Sequence, residues 1–204
     1  MKILTALPLA ATLSASLLAP GAARAHDEID PARAKAFDNR IFAGPIAETA
    51  SACFVRIYDA RHLTQHAKQT VSAMKLLVTA QNKPNEPTSY AYKVGVRFRN
   101  KPGNFDGGSS CGHFAGDEGN REIRFSCDVD CGGGGLEIAM SKDSKSAIVH
   151  LEVIGLWDRK HPDRDAVTLE GGVDDRVFRV DRVDNGECDE LLTGREAQAS
   201  RQQE

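Results

Sequence analysis

His62 and His66 stand four residues apart, just downstream of Tyr58 and Asp59. On a helix that spacing puts two imidazoles on one face, where both can hold one Zn²⁺ or Cu²⁺ ion. The hydrolytic form of the pattern needs a glutamate directly after the first histidine as general base. Leu63 occupies that place. The pair can therefore bind but has no base on that template, and without a third ligand it reads as two surface histidines on a turn. Tyr58-Asp59 with His62 and His66 could form an acid–base site, but nearness in sequence is its only warrant.

A third ligand could come from His26, the first residue after a cleavage site set out below. An N-terminal histidine chelates copper through its α-amine and ring, an arrangement similar to the copper-binding brace of certain exported β-sandwich proteins, whose second histidine could here be His62, His66, His113, His150 or His161. Asp27, Glu28 and Asp30 would add oxygen ligands. Asp128-Val-Asp130 before a glycine run has the look of a calcium loop. EF-hand spacing, however, puts Gly132 and Ala139 where oxygen ligands are needed. Gly171-Gly-Val-Asp-Asp175 is good turn chemistry and a possible ligand loop. No Gly-Lys-Ser/Thr follows the glycine run and no serine lies in a Gly-x-Ser-x-Gly elbow, so phosphate-loop and serine-hydrolase readings drop out.

The elements that must position these groups are strands. Tyr90, Tyr92, Val94, Val96 and Phe98 alternate with more polar neighbours, as do Ile123, Phe125, Cys127, Val129 and Cys131, and then Leu136, Ile138 and Met140. Period two is the signature of half-buried strands. Cys53–Tyr58, Val149–Trp157 (read as one central strand) and Arg176–Val183 add further β runs, with turns at 82–87, 100–108, 116–120, 132–135 and 141–145. Short β runs with glycine turns predict an all-β domain, an antiparallel sandwich or small closed barrel of about seven to eight strands.

Asp30-Pro31 predicts a short N-terminal helix, docked loosely if at all. Over residues 61–78 a helical stripe competes with the β-favouring Leu76-Leu-Val-Thr79. We read a helical turn over 59–66 followed by a strand, with one continuous helix as the rival.

The first 25 residues bear on every function class. Lys2, the apolar stretch Ile3–Ala19, Pro20-Gly21 and then Ala23-Arg-Ala25 make a secretory signal peptide, cleaved between Ala25 and His26. The expected address is periplasmic or secreted. Residues 26–50 form an arm, 51–192 the β domain, and 193–204 a polar tail that lacks apolar residues to bury and reads as disordered. Without Lys2 and Arg24 the formal charge moves from −3 to −5. That balance argues against nucleic acid, which needs clustered Lys and Arg. No second apolar run reaches the ~20 residues of a membrane span.

Export makes disulfides the default for Cys53, Cys111, Cys127, Cys131 and Cys188. If 117–120 turns a hairpin, Cys111 and Cys127 fall opposite one another, ~4.5 Å apart at Cα. Cys127 and Cys131 on one extended strand stand ~13 Å apart, beyond the ~7 Å limit. Cys53 and Cys188 bracket the β region. The expected pairs are Cys53–Cys188 and Cys111–Cys127, leaving Cys131 as a free thiol, with Cys111–Cys131 the rival to the second.

Residues 53–63 (Cys-Phe-Val-Arg-Ile-Tyr-Asp-Ala-Arg-His-Leu), 127–133 (Cys-Asp-Val-Asp-Cys-Gly-Gly) and 171–180 (Gly-Gly-Val-Asp-Asp-Arg-Val-Phe-Arg-Val) together resemble uncharacterised exported proteins of proteobacteria. The resemblance implies an address and a β fold, and no mechanism. The functional expectation is a non-catalytic binding protein for an envelope protein or a small ligand, with no resident cofactor. Tyr90, Tyr92, His113 and His150 are the candidates to line a ligand cavity. The alternative is a metal-binding protein using His26, His62 and His66 with Cu or Zn. A hydrolytic enzyme ranks behind both.

Overall fold

A computed structural model describes residues 29–116, 122–128 and 134–192. The predicted signal peptide, His26, Cys131, Asp130 and the polar tail lie outside these residues.

Among the described residues, ten strands follow a first helix. They are α1 (Pro31–Ile41), β1 (Thr49–Ile57), α2 (Ala60–Gln65), β2 (Val71–Gln81), β3 (Ser89–Phe98), β4 (Phe105–Ala115) and β5 (Ile123–Asp128). Then come β6 (Gly135–Met140), β7 (Ser146–Leu151), β8 (Val153–Asp158), β9 (Val167–Glu170), β10 (Val177–Val183) and a 3-10 helix, Asn185–Leu191. The strands run in the order β3-β2-β1-β10-β7-β6-β5-β4, and β3 pairs again with β4. That last pairing closes an eight-stranded antiparallel barrel, so the choice between sandwich and barrel falls to the barrel. Closure removes the exposed edges that an open sheet must otherwise protect.

Alternation decides what fills the barrel. Phe54, Leu76, Val94, Phe125, Ile138, Val149 and Phe178 point inward from seven strands and are fully buried in one cluster. A barrel of eight strands is just wide enough for such side chains to meet, so the interior is a core rather than a cup. In β2 the register shifts between Val71 and Ala73, a bulge that turns both Val71 and Met74 inward although they lie three residues apart.

The run Leu76-Leu77-Val78 has no clean alternation because both faces of β2 are covered. Leu76 and Val78 face the interior, while Leu77 packs outside with Cys53, Cys188 and Leu191 beneath the 3-10 helix. The Cys53–Cys188 disulfide fixes that cover, with Cα atoms 5.9 Å apart. It joins β1 to the 3-10 helix after the last strand rather than joining two strands. Cys111–Cys127 bridges β4 and β5 as expected, Cα to Cα 4.1 Å.

A charged strap holds the 3-10 helix. Lys75 bonds the Glu187 carbonyl and pairs with Glu190 at 2.8 Å, and Arg159 makes a two-pronged bridge to Asp106 at 2.6 and 2.7 Å. Burial pushes the Glu190 carboxyl up, but the Lys75 hydrogen bond, a backbone bond and the Lys75 and Arg159 charges outweigh it and hold the pKa below its ordinary value. Asp181 behaves alike, with burial opposed by bonds from Ser146, Arg179 and Arg56. A depressed carboxylate contributes stability above its unfolded pKa and loses it as pH falls through the folded one. Denaturant midpoints are therefore expected to hold above about pH 5 and to fall progressively below about pH 4. Changing both Glu190→Gln and Asp181→Asn should flatten that fall.

Four expectations need correction. Val149–Trp157 is two strands: the chain bends at Glu152, and β8 leaves the barrel to pair with β9 and with Phe105 and Asp106 of β4. The apolar face of this hairpin, Ile154, Leu156 and Leu169, joins the interior cluster, as Phe105 does, and so closes one mouth. Residues 105–108 are strand, not turn. Gly107 lets β4 approach β8, since a Cβ there would lie 2.7 Å from the Gly155 carbonyl oxygen. Finally, β1 begins at Thr49, and α1 is not loosely docked. Phe37 and Ile41 belong to the core, because the helix covers the second mouth.

Candidate functional site

The α1 mouth gathers polar groups from three elements. Asp30 caps α1 by accepting from Ala32 N–H, and Pro31 opens its first turn. The turns that follow carry Phe37 and Asp38 down onto the barrel. There the Tyr90 hydroxyl donates to one Asp38 oxygen and His113 Nε2 to the other, each at 2.8 Å. Phe37, Tyr90 and His113 all pack on the Phe125 ring or on one another, with centroids 4.8–6.1 Å apart. Burial, reinforced by the Asp38 carboxylate, pushes the Tyr90 hydroxyl well above its ordinary pKa.

A histidine, a carboxylate and a tyrosine in contact suggest acid–base chemistry. Here, however, both donors are spent on the same carboxylate, and Asp38 is only 8% exposed. The group works as a clamp. Arg40 and Arg182 complete it: Arg40 donates to the Met140 and Ser141 carbonyls, and Arg182 lies over Phe54 and donates to the Arg40 and Ile41 carbonyls at the end of α1. Those are helix-end carbonyls that otherwise lack partners.

Of the four cavity candidates, Tyr90 and His113 meet at this mouth. Tyr92 points into the packed interior, where burial raises its hydroxyl pKa to about 12. His150 does not join them. Ala147, Val149 and Leu151 fill the inward side of β7, so alternation sends His150 to the outer face opposite Glu137 and Val177. Sequence reasoning missed Asp38. Its signal was its place between Phe37 and Ile41 on the apolar stripe, where a carboxylate has to find donors.

The opposite mouth holds the histidine pair. Asp59 caps α2 by accepting from His62 N–H, as the helical-turn reading expected. The rings of Tyr58, His62 and His66 stack in sequence, 4.6 and 4.3 Å between centroids. His62 Nε2 bonds the Gln69 side chain at 2.9 Å, and His66 Nδ1 lies 3.7 Å from Asp174. Stacked rings run face to face rather than turning their nitrogens to a common point, and among the described residues no three His, Cys, Asp or Glu side chains form a ligand set. His26 lies outside those residues. Asp174 and Asp175, the possible ligand loop, accept from the backbone instead: Asp174 from Lys68 N–H, Asp175 from Thr70 and Val71 N–H.

Beside this loop lies a cleft of about 440 Å³, a volume within the range of ligand-binding clefts. One wall is β9, from Val167 to Glu170, and the other carries Lys68, Thr70, Phe98 and Lys101. The end of the barrel around it also exposes Ile57 and Val177, and Val173 is 80% exposed. These cluster at the termini of β1 and β10 and in the turn before β10, on the side away from α1. The cleft thus joins apolar contact, a backbone edge and the side chains of Lys68 and Lys101 with those of Glu170 and Asp175, a set suited to holding a chain segment.

No family model, characterised protein or solved structure matches the chain.

Proposed function

We propose that the chain is an exported, disulfide-braced β-barrel that binds a protein partner through its outer surface and catalyses nothing itself. The observation that carries this reading is the filled interior: the position where small barrels hold a ligand is taken by Phe54, Tyr92, Phe125 and Phe178. A small-ligand protein of this architecture would need that space. The polar clusters at both mouths make internal contacts, and the cleft beside β9 offers a strand edge together with Lys68 and Lys101. The leader-like first 25 residues and the two disulfides support an oxidising compartment outside the cytosol.

Site-directed photo-cross-linking in a bacterial envelope tests the proposal. A cross-linker at Lys101, on the cleft, is expected to give one discrete protein adduct, and the same group at Lys142, beside the α1 mouth, is expected to give none. Equal labelling from both positions, or no adduct from Lys101, would count against it.

A further inference from the structure

Resting on that reading, we propose that the free edge of β9 is a strand-addition site for an extended peptide of the partner that alternates apolar and acidic residues. Among the described residues the barrel strands are paired on both sides, whereas β9 has β8 as its one strand neighbour. The register β8–β9 pairs Ile154 with Leu169 and Leu156 with Val167. Gly171 N–H donates to the Glu152 carbonyl one step outside this register. In an antiparallel ladder, bonded and non-bonded pairs alternate. Leu169 and Val167 therefore bond β8, and Thr168, opposite Gly155, turns its N–H and C=O away, into the cleft that it lines. An open edge is usually blunted by lysine, proline or a bulge. The run Val-Thr-Leu-Glu carries none of these.

Space and charge select the occupant. A strand pairing with four residues spans ~13 Å, and the cleft of about 440 Å³ takes a segment of that size. One face of an added strand would lie over Phe98 and Val167, which call for apolar side chains. The other would face solvent in the field of Lys68 and Lys101, both exposed. Asp175 also lines the cleft, but its carboxylate is occupied by Thr70 and Val71 N–H, and Glu170 stands at the glycine end of the strand. Main-chain bonds to an edge with pockets for alternate side chains are the known physical basis of strand addition.

The test uses the oxidised full-length mature protein and blocked peptides of about eight residues: alternating Val-Glu, alternating Val-Lys, and Val-Glu N-methylated at every second residue. Trp157, the single tryptophan, packs beside Gly155, the residue paired with Thr168, so its emission reports occupancy. The Val-Glu peptide is expected to bind at least tenfold more tightly than the other two. Thr168→Pro removes one of the two outward N–H groups, the other being that of Glu170 opposite Val153, without taking a bond from the β8 ladder, and should weaken binding tenfold or more at an unchanged melting temperature. Lys68→Glu with Lys101→Glu, both at exposed sites, should reverse the charge preference, which keeps the test open if the proline variant misfolds. Equal binding of the methylated peptide, unaltered binding by either variant, or no peptide binding would overturn the proposal. So would a dimer mass in sedimentation that Thr168→Pro abolishes, because it would give the edge to a second copy. If the Lys101 cross-link persists in Thr168→Pro, the edge assignment fails and the binding reading stands. If neither cross-link nor peptide is found, both fail.

Discussion

Alanine in place of both Cys53 and Cys188 is expected to destabilise the protein by about 5 kcal/mol, against about 3 kcal/mol for the Cys111 and Cys127 pair. The difference follows from chain entropy. The first bridge joins residues 135 apart in sequence and the second residues 16 apart, so the first removes far more freedom from the unfolded chain. The native contacts push the same way. Cys188 anchors the 3-10 helix over Leu77, and its loss uncovers an apolar patch outside the barrel. Cys111 and Cys127 sit on strands already paired through Gly112–Ser126 and His113–Phe125. Denaturant unfolding of the two double variants, compared at one pH without reductant, checks the order. The reverse order would mean that the 3-10 helix frays from the native barrel at little cost.

The second large effect belongs to the α1 clamp. Asp38→Ala leaves the Tyr90 hydroxyl and His113 Nε2, two donors at a largely buried site, without their acceptor. Each unsatisfied donor costs about 1–3 kcal/mol, so a loss of about 3 kcal/mol is expected. In a domain of this size that lowers the melting temperature by roughly 10 °C. Tyr90→Phe alone should cost less, because it removes a donor rather than stranding one, and the double variant should be less destabilised than the two singles summed. A loss under about 0.5 kcal/mol for Asp38→Ala would mean that α1 is a surface arm after all.

That clamp also marks where the sequence stopped being readable. Strand alternation is a local signal, and it delivered most barrel strands, the Asp59 helical turn and both disulfides, the Cys111–Cys127 pair directly from its hairpin geometry. Docking of α1 depends on Tyr90, His113, Arg182 and the Met140 and Ser141 carbonyls, which are remote in sequence from Asp38 and Arg40. No periodicity reveals such partners. Val149–Trp157 misled for a related reason: the apolar side chains continue across the bend at Glu152, since β7 buries them in the barrel and β8 buries them over its mouth. The short β9 was hidden by its length. His150 went to the wrong face because the inward parity of β7 is set by its neighbours in the barrel, not by its own composition.

The site was legible in its parts and not in its meaning. His62 and His66 do share a helical turn, but they stack with Tyr58, His62 bonds Gln69, and His66 lies 3.7 Å from Asp174. The two aspartates after Gly171-Gly172 do accept hydrogen bonds, from the backbone of residues 68–71 rather than from a ligand.

Native mass spectrometry of the exported, unreduced protein, beside a denatured control, tests the central claim most directly. An exported barrel with a filled interior predicts a mass that begins at His26, is reduced by two hydrogens for each of its two disulfides, and is the same in both spectra. A small molecule or metal ion retained in the native spectrum and released on denaturation would contradict it, and would move the binding site from the outer surface to the barrel mouths.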